Sequence, residues 1–552
     1  MKLAAGAALR ALERCRDDTG ADAGARKRAL LARLAAARLA TAAEVRRLHE
    51  ALCFLRAYPD DAPLLAAVET MLARFGRRAD LRAHREALAG SGIAGTPAWY
   101  PFFWPTARWL AGRWPGQLRF DRGDAEAEKS LGRALPLLVS PHEAAALREA
   151  KPGGYAAIDR LRGRGETDAT FLVRRVAALA GDDFTREAFY DAINPSCELQ
   201  ATDDTPARTR EKFGPAPVVF RSTPLRRGRP DLRAEMRRAP LSVRRLPAAD
   251  GERLVDLARG AMVGRSRDLD AFAYGNAGDA WLVDDGGGLA FGLIGVTAER
   301  RAPLAAIYGA LTLANGVPIG YVQADLVGRS AAVSFNTFET FRGGEAAFSF
   351  GRLLAMLRHV FGVDAFSIEP YQLGEGNDEG IDSGAWWFYF KLGLRPRAAA
   401  ARELAEAELA RMRRRPAHRS CAATLRRLAA HHLFFDLDPR RRTPLPPLAQ
   451  LGFRVARLLA GHGEGRAAAA AQVEAQAAAA LGLRLPRAAD RRQRQAFGSF
   501  APLVLLAGAA RWPKEERASL AALIRAKAAT SEVDYARRLA AQRSFCRSLL
   551  GQ

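Results

Sequence analysis

A chain of 552 residues with a formal net charge of +24 is longer than one ordinary domain, on a prior of ~100–200 residues each. Its 49% hydrophobic content is ordinary for a globular protein and suffices to bury a core. Five widely spaced cysteines (Cys15, Cys53, Cys197, Cys421, Cys546), with no C-x-x-C pair, exclude a disulfide framework and a zinc ribbon and fit a reducing compartment.

The positive charge comes almost wholly from arginine. It admits two readings: an acidic partner such as nucleic acid, CoA phosphates or an anionic surface, or solvated arginine on helix faces. The charge is scattered and no RNA-binding aromatic signature goes with it, so nucleic acid is not favoured. The opening at Met1-Lys2-Leu3 is an apolar run broken by Arg10, with no cleavage pattern behind it. No uninterrupted apolar stretch reaches ~18 residues; Phe500 to Ala510 is short and holds Pro502. The expectation is a cytoplasmic protein without a membrane partner. Oligomeric state is not legible.

Four segments are expected: a helical region at 1–200, a Pro/Arg-rich linker at 201–240, an α/β domain at 241–400 and a helical region at 401–552. In the first, Leu48, Leu52 and Leu55, then Leu64, Leu65, Val68, Met71 and Leu72, recur at helical spacing. Tyr58 to Pro63 breaks two helices, with Asp60 and Asp61 ready to cap the second. The run Trp99 to Pro105, followed by Trp109 and Trp114, is either a ligand surface or a core plug. The linker contains Arg221-Ser222-Thr223-Pro224-Leu225-Arg226-Arg227-Gly228-Arg229-Pro230. It reads as a solvated connector, or as a strap whose arginines clasp phosphate.

From Leu241 the pattern changes. Strands are expected at Leu241–Leu246, Trp281–Val283, Leu289–Val296, Leu304–Leu313 and Val317–Leu326, with a helix at Ala248–Ala261. Asn315-Gly316 marks a hairpin, because both residues accept positive φ. A strand at Val333–Phe341 leads through the turn Arg342-Gly343-Gly344-Glu345-Ala346-Ala347 into a helix ending at Phe361. A second strand, Ala365–Tyr371, a polar loop and an aromatic helix, Ala385–Leu392, follow. Strand, turn, helix, strand is a crossover that builds parallel pairing and leaves a helix N-terminus at a cleft, suited to phosphate. Beyond Pro396 helices resume. His431 and His432, taken as helical neighbours, point in different directions and do not form a metal pair.

The crossover resembles the GNAT superfamily of acyl-CoA-dependent N-acyltransferases. That family's pyrophosphate loop reads Arg/Gln-x-x-Gly-x-Gly/Ala. Arg342 and Ala347 match its ends, while Glu345 stands where the family has Gly. The family's last helix reads Asn-x-x-Ala-x-x-x-Tyr-x-x-x-Gly-Phe. Here Ala385, Tyr389 and Gly393 fall in register, and Asp382 takes the place of Asn. The resemblance implies a GNAT-like acyltransferase domain at 241–400 flanked by helical regions. It implies acyl transfer from acetyl-CoA or another acyl-CoA to an amine, either a small molecule or a basic peptide.

Within that frame, Arg342, Gly343, Gly344, Glu345, Ala346 and Ala347 would hold the pyrophosphate, Tyr389 would be the general acid, and no metal is called for. Glu339, read on the apolar face of the central strand with a raised pKa, is the expected general base. Glu375, Asn377, Asp378, Glu379 and Asp382 form an acidic loop that would receive a cationic acceptor. Glu345 beside a diphosphate is unfavourable unless its side chain turns away or pairs; an acid there also simply suits the helix dipole. The alternative is a helical scaffold that keeps this fold and has lost CoA binding.

Overall fold

The computed structural model describes residues 5–20, 22–214, 217–462, 465–487 and 490–551; Met1 to Leu3 of the apolar opening lie outside them. The chain divides into two compact units. The first comprises Met1–Leu225, Arg253–Tyr274 and Leu313–Ile319, and the second Arg226–Glu252, Gly275–Thr312 and Gly320–Gln552. Residues 401–552 therefore count with the α/β sheet, and the segment at 201–240 is shared between the two units.

The first unit is built from helices with ordinary start signals. Asp61 accepts the Leu64 N–H at 2.6 Å and opens the helix Ala62–Ala73, as its position after the Tyr58–Pro59 break suggests. Phe102, Trp104 and Trp114 are buried in one apolar cluster with Tyr190 and Phe171, so part of the aromatic run is core, while Phe103 is exposed and Trp99 and Tyr100 are half-buried. One feature without a sequence signal is a three-stranded sheet of Ala98–Tyr100, Leu118–Phe120 and Cys197–Leu199, the last strand central and antiparallel to both. Three-residue strands are too short to show an alternation. The first half of the linker is packed, with Thr205, Ala207, Thr209 and Glu211 buried, whereas Val219 and Phe220 and most of 217–225 face solvent.

The second unit carries a nine-stranded mixed sheet. In chain order its strands are β1 (Ser242–Arg245), β2 (Gly275–Gly286), β3 (Leu289–Val296), β4 (Ala306–Ala314), β5 (Val317–Val327), β6 (Ser330–Thr337), β7 (Ala365–Ile368), β8 (Arg395–Pro396) and β9 (Leu433–Asp436). Across the sheet they run β8-β9-β7-β6-β5-β4-β3-β2-β1. Asn315 and Gly316 take φ of 49° and 78°, the conformation the hairpin turn needs.

The β6–β7 pair is parallel, Ala365 facing Ser330 and Ser367 facing Ala332, whereas β5–β6 and β7–β9 are antiparallel. The parallel pair requires a crossover, and helix α1 (Ala346–Phe361) supplies it. α1 is apolar enough to be buried along most of its length: Phe350, Leu353, Leu354, Met356, Leu357, Val360 and Phe361 all lie in the core. Gly362, at φ 79°, ends it.

The helices after β9 pack on this same core. Val473, Phe500, Leu523, Tyr535 and Leu549 share one buried cluster with Tyr308, Val360 and Phe361. Buried polar contacts fix the match: Lys527 Nζ donates to Ala305 O at 3.0 Å, Tyr535 Oη to Leu304 O at 2.7 Å, and the Glu532 N–H to Asp279 Oδ2 at 3.0 Å. His431 and His432 sit between the helix Ala422–Ala429 and β9, not on a helix. Among the described residues no helix is long and apolar enough to cross a membrane.

Candidate functional site

β6 is shorter than its apolar alternation implies. It stops at Thr337, and Phe341 N–H closes on Phe338 O at 2.8 Å to make a 3-10 turn over Glu339–Phe341. Burial of Phe338 and Phe341, at 4% and 2% exposure, drives the bend. Glu339 is thereby rolled out to solvent. The expected apolar strand face around this carboxylate does not exist, because a turn has replaced the alternation. β7 likewise ends at Ile368, since Pro370 opens a helical turn, Pro370–Leu373.

The end of β6, the start of α1 and the following loop enclose a cleft of about 250 Å³. Phe335, Asn336 and Thr337 line it from the strand, Arg342 and Ala346 from the turn and helix start, and Ala385, Phe388 and Tyr389 from helix α3 (Ala385–Lys391). Gln372, Asn377, Glu379, Gly380 and Ser383 complete the wall. Asn377 begins the short helix α2 (Asp378–Asp382), its side-chain oxygen accepting the Gly380 N–H at 3.3 Å.

Tyr389 is 3% exposed and donates its hydroxyl to Phe335 O at 3.2 Å. Its ring packs edge-on against Phe350 at 5.4 Å. Burial pushes its pKa well above the ordinary phenol value, with only the Phe335 hydrogen bond opposing. The hydroxyl therefore stays protonated at neutral pH.

Arg342 donates Nε to Thr337 O at 3.2 Å and forms an ion pair with Glu379. In the turn, the Gly344 N–H is taken by Phe341 O at 2.8 Å, while the first N–H groups of α1 have no acceptor within the helix. The Glu345 carboxylate accepts the backbone N–H of Arg226 at 2.9 Å. Arg227 Nε donates to Gly343 O at 3.1 Å, and the Arg226 guanidinium stands 4.5 Å over the Phe348 ring. Residues of the linker thus lie on the turn and engage the unfavourable carboxylate.

Of the expected site residues, Arg342, Ala346, Asn377, Glu379 and Tyr389 meet at the cleft. Gly343, Gly344, Glu345 and Ala347 belong to the turn beside it and are not in its lining. Glu375, Asp378 and Asp382 are exposed and outside the lining, as is Glu339; Asp378 reaches Arg426 at 3.2 Å instead. Asn377, not Asp382, is the polar residue at the wall. Gln372, Ser383 and Asn336 were missed; they come together only through the bend after β6 and the turns of the loop, which leave no local pattern.

The buried cysteines are poor candidates for a nucleophile. All five are free, and only Cys421 is exposed. Cys53 lies 3.7 Å from His49 Nε2, but burial pushes its thiol up to about 11, and neighbouring arginines add to burial in keeping His49 neutral. Among the described residues no group of three His, Cys, Asp or Glu side chains is placed to hold a metal. Compared with known proteins, the chain matches no family model, no curated protein and no solved structure.

Proposed function

We propose that the second unit is a GNAT-like, acyl-CoA-dependent N-acyltransferase acting on an amine, with the cleft at the start of α1 as its reaction site. One observation carries this reading: a strand end, a helix start with unspent N–H groups, and a buried tyrosine hydroxyl converge on a single opening. The volume suits the acyl-thioester end of the donor and a small acceptor, since whole ligands of this size occupy ~300–1,000 Å³. The nucleotide end would remain outside, against the turn from Arg342 to Ala347.

The residues divide the work. The N–H groups at the start of α1 face the diphosphate charge. Tyr389 supplies the proton for the departing thiolate, exchanging its bond to Phe335 O for one to sulfur. Because Glu339 is outside the cleft, the base role passes to Glu379, the carboxylate in the wall, with Asn377 beside it to orient the amine. In the step, the amine nitrogen bonds the acyl carbon and the C–S bond breaks. One amine proton goes to Glu379 and the Tyr389 proton goes to the CoA sulfur. Arg342 fixes the position of the Glu379 side chain through their ion pair.

The second reading, a scaffold without CoA binding, is favoured by the linker contacts at Arg226 and Arg227, which occupy acceptors on the turn. A calorimetric titration with acetyl-CoA separates the two. Saturable binding, together with CoA release in the presence of a primary amine and a loss of kcat of ~100-fold or more in Tyr389→Phe, supports the enzyme. Absence of binding at millimolar acetyl-CoA supports the scaffold.

A further inference from the structure

The first unit contains a larger cleft, about 770 Å³, that plays no part in the proposed acyl transfer. Four cationic side chains line it: Arg56, Arg77, Arg210 and Lys212, against two carboxylates, Glu69 and Asp203. Those two are engaged, Glu69 with Lys212 at 2.9 Å and Asp203 with Arg77 at 3.5 Å. Arg210 directs Nη2 to the carbonyls of Thr202 and Thr205.

Arg56 distinguishes this cleft from a solvated basic surface. It is 3% exposed and is held by two carbonyls, Thr209 O at 2.7 Å and Arg208 O at 3.1 Å. Its Nε is buried without a hydrogen-bond partner, and it has no carboxylate partner among the described residues. The arginines around it are matched: Arg208 pairs with Glu50 at 2.6 Å and Arg265 with Glu211 at 2.8 Å. Three guanidiniums therefore meet two carboxylates, and the surplus charge is the one on the cleft wall. Carbonyls orient a guanidinium but do not neutralise it, and a buried unpaired charge is costly. An anion completes the arrangement.

We propose that this cleft binds a small molecule bearing a phosphate or diphosphate group, with Arg56 as the fixed cation at its wall and Arg77, Arg210 and Lys212 closing over the anion from solvent. Arginine's planar donor set suits phosphate oxygens. The volume is that of a nucleotide-sized ligand, several times what one phosphate fills.

The test uses the full chain in low-salt buffer, titrated by calorimetry with inorganic pyrophosphate and, separately, with ADP. Binding is expected for both, weakening as salt is raised and falling at least tenfold in a combined Arg77→Ala, Arg210→Ala, Lys212→Ala variant. Those three side chains are exposed, so the fold should survive their loss. Hydrogen exchange with pyrophosphate present is expected to slow amides at 72–77 and 202–212. ADP binding tighter than pyrophosphate assigns the rest of the cleft to a nucleoside; equal binding assigns the site to the phosphate group alone. The proposal is overturned if neither probe binds at millimolar concentration, if the combined variant binds as wild type does, or if protection appears only elsewhere in the chain.

Discussion

Two buried arginines, one in each unit, show how the same side chain serves different ends. Arg352, in α1, is 0% exposed and meets Asp285 through Nε at 2.8 Å and Nη2 at 2.7 Å. It also donates to the carbonyls of Glu235 and Arg238, tying the linker end of the second unit to the sheet core. Charge and donors are both satisfied, so nothing is left for a ligand. Arg56 has the carbonyls without the carboxylate. A buried cation matched by an anion of the chain is architecture; one matched only by dipoles marks where an outside anion fits.

The largest effect that separates them is thermodynamic. Arg352→Met should cost ~3 kcal/mol, the low end for breaking a buried pair, because the buried Asp285 keeps only Arg238, at 3.1 Å, as a cationic partner, and denaturant unfolding would read it. Asp268 gives the mirror image of Arg56, a carboxylate held only by neutral donors: Thr106 Oγ1 at 3.1 Å, Phe103 N–H at 3.0 Å and Leu269 N–H at 2.9 Å. Burial pushes its pKa up to about 6 from 3.8, against the pull of those hydrogen bonds. Between these values the unfolded chain has lost the proton that the folded chain keeps. Stability contributed by this group should therefore fall as pH rises from 3.8 to about 6, by on the order of 3 kcal/mol, and stay level above that. Asp268→Asn should flatten the slope; an unchanged pH profile would show that the neutral donors already hold the ionised form.

Arg56→Met should cost less than Arg352→Met, ~1–2 kcal/mol without added anion, since it frees two carbonyls but strands no carboxylate. Pyrophosphate should raise the melting temperature of the wild type and not of this variant, through the linkage of binding to folding. Equal destabilisation by the two arginine substitutions would erase the distinction drawn between them.

Much of the second unit was legible. The strand Leu289–Val296 and the apolar period of α1 each appear within a few residues, and each is found; so is the Asn315-Gly316 turn, which counts with the first unit. Tyr389 was legible through its spacing to Gly393. Glu339 was misjudged because the strand was read to Phe341, four residues past its end at Thr337, and in the turn that follows strand alternation no longer sets the side-chain direction; only the burial of Phe338 and Phe341 reveals the bend. β9 hid in Leu433-Phe434-Phe435-Asp436, four residues whose partners, β7 and β8, lie well before it in sequence. The Arg56 cluster was illegible for the same reason: Arg56 and Thr209 are brought together by the fold, and no local pattern links them.

The acyl-transfer reading is tested most directly by rapid-quench measurement of CoA release from acetyl-CoA with a primary amine, comparing the wild type with Tyr389→Phe and Glu339→Gln. The account predicts release by the wild type, ~100-fold slower release by Tyr389→Phe and wild-type release by Glu339→Gln. Release that survives loss of the Tyr389 hydroxyl but disappears with Glu339→Gln would contradict it.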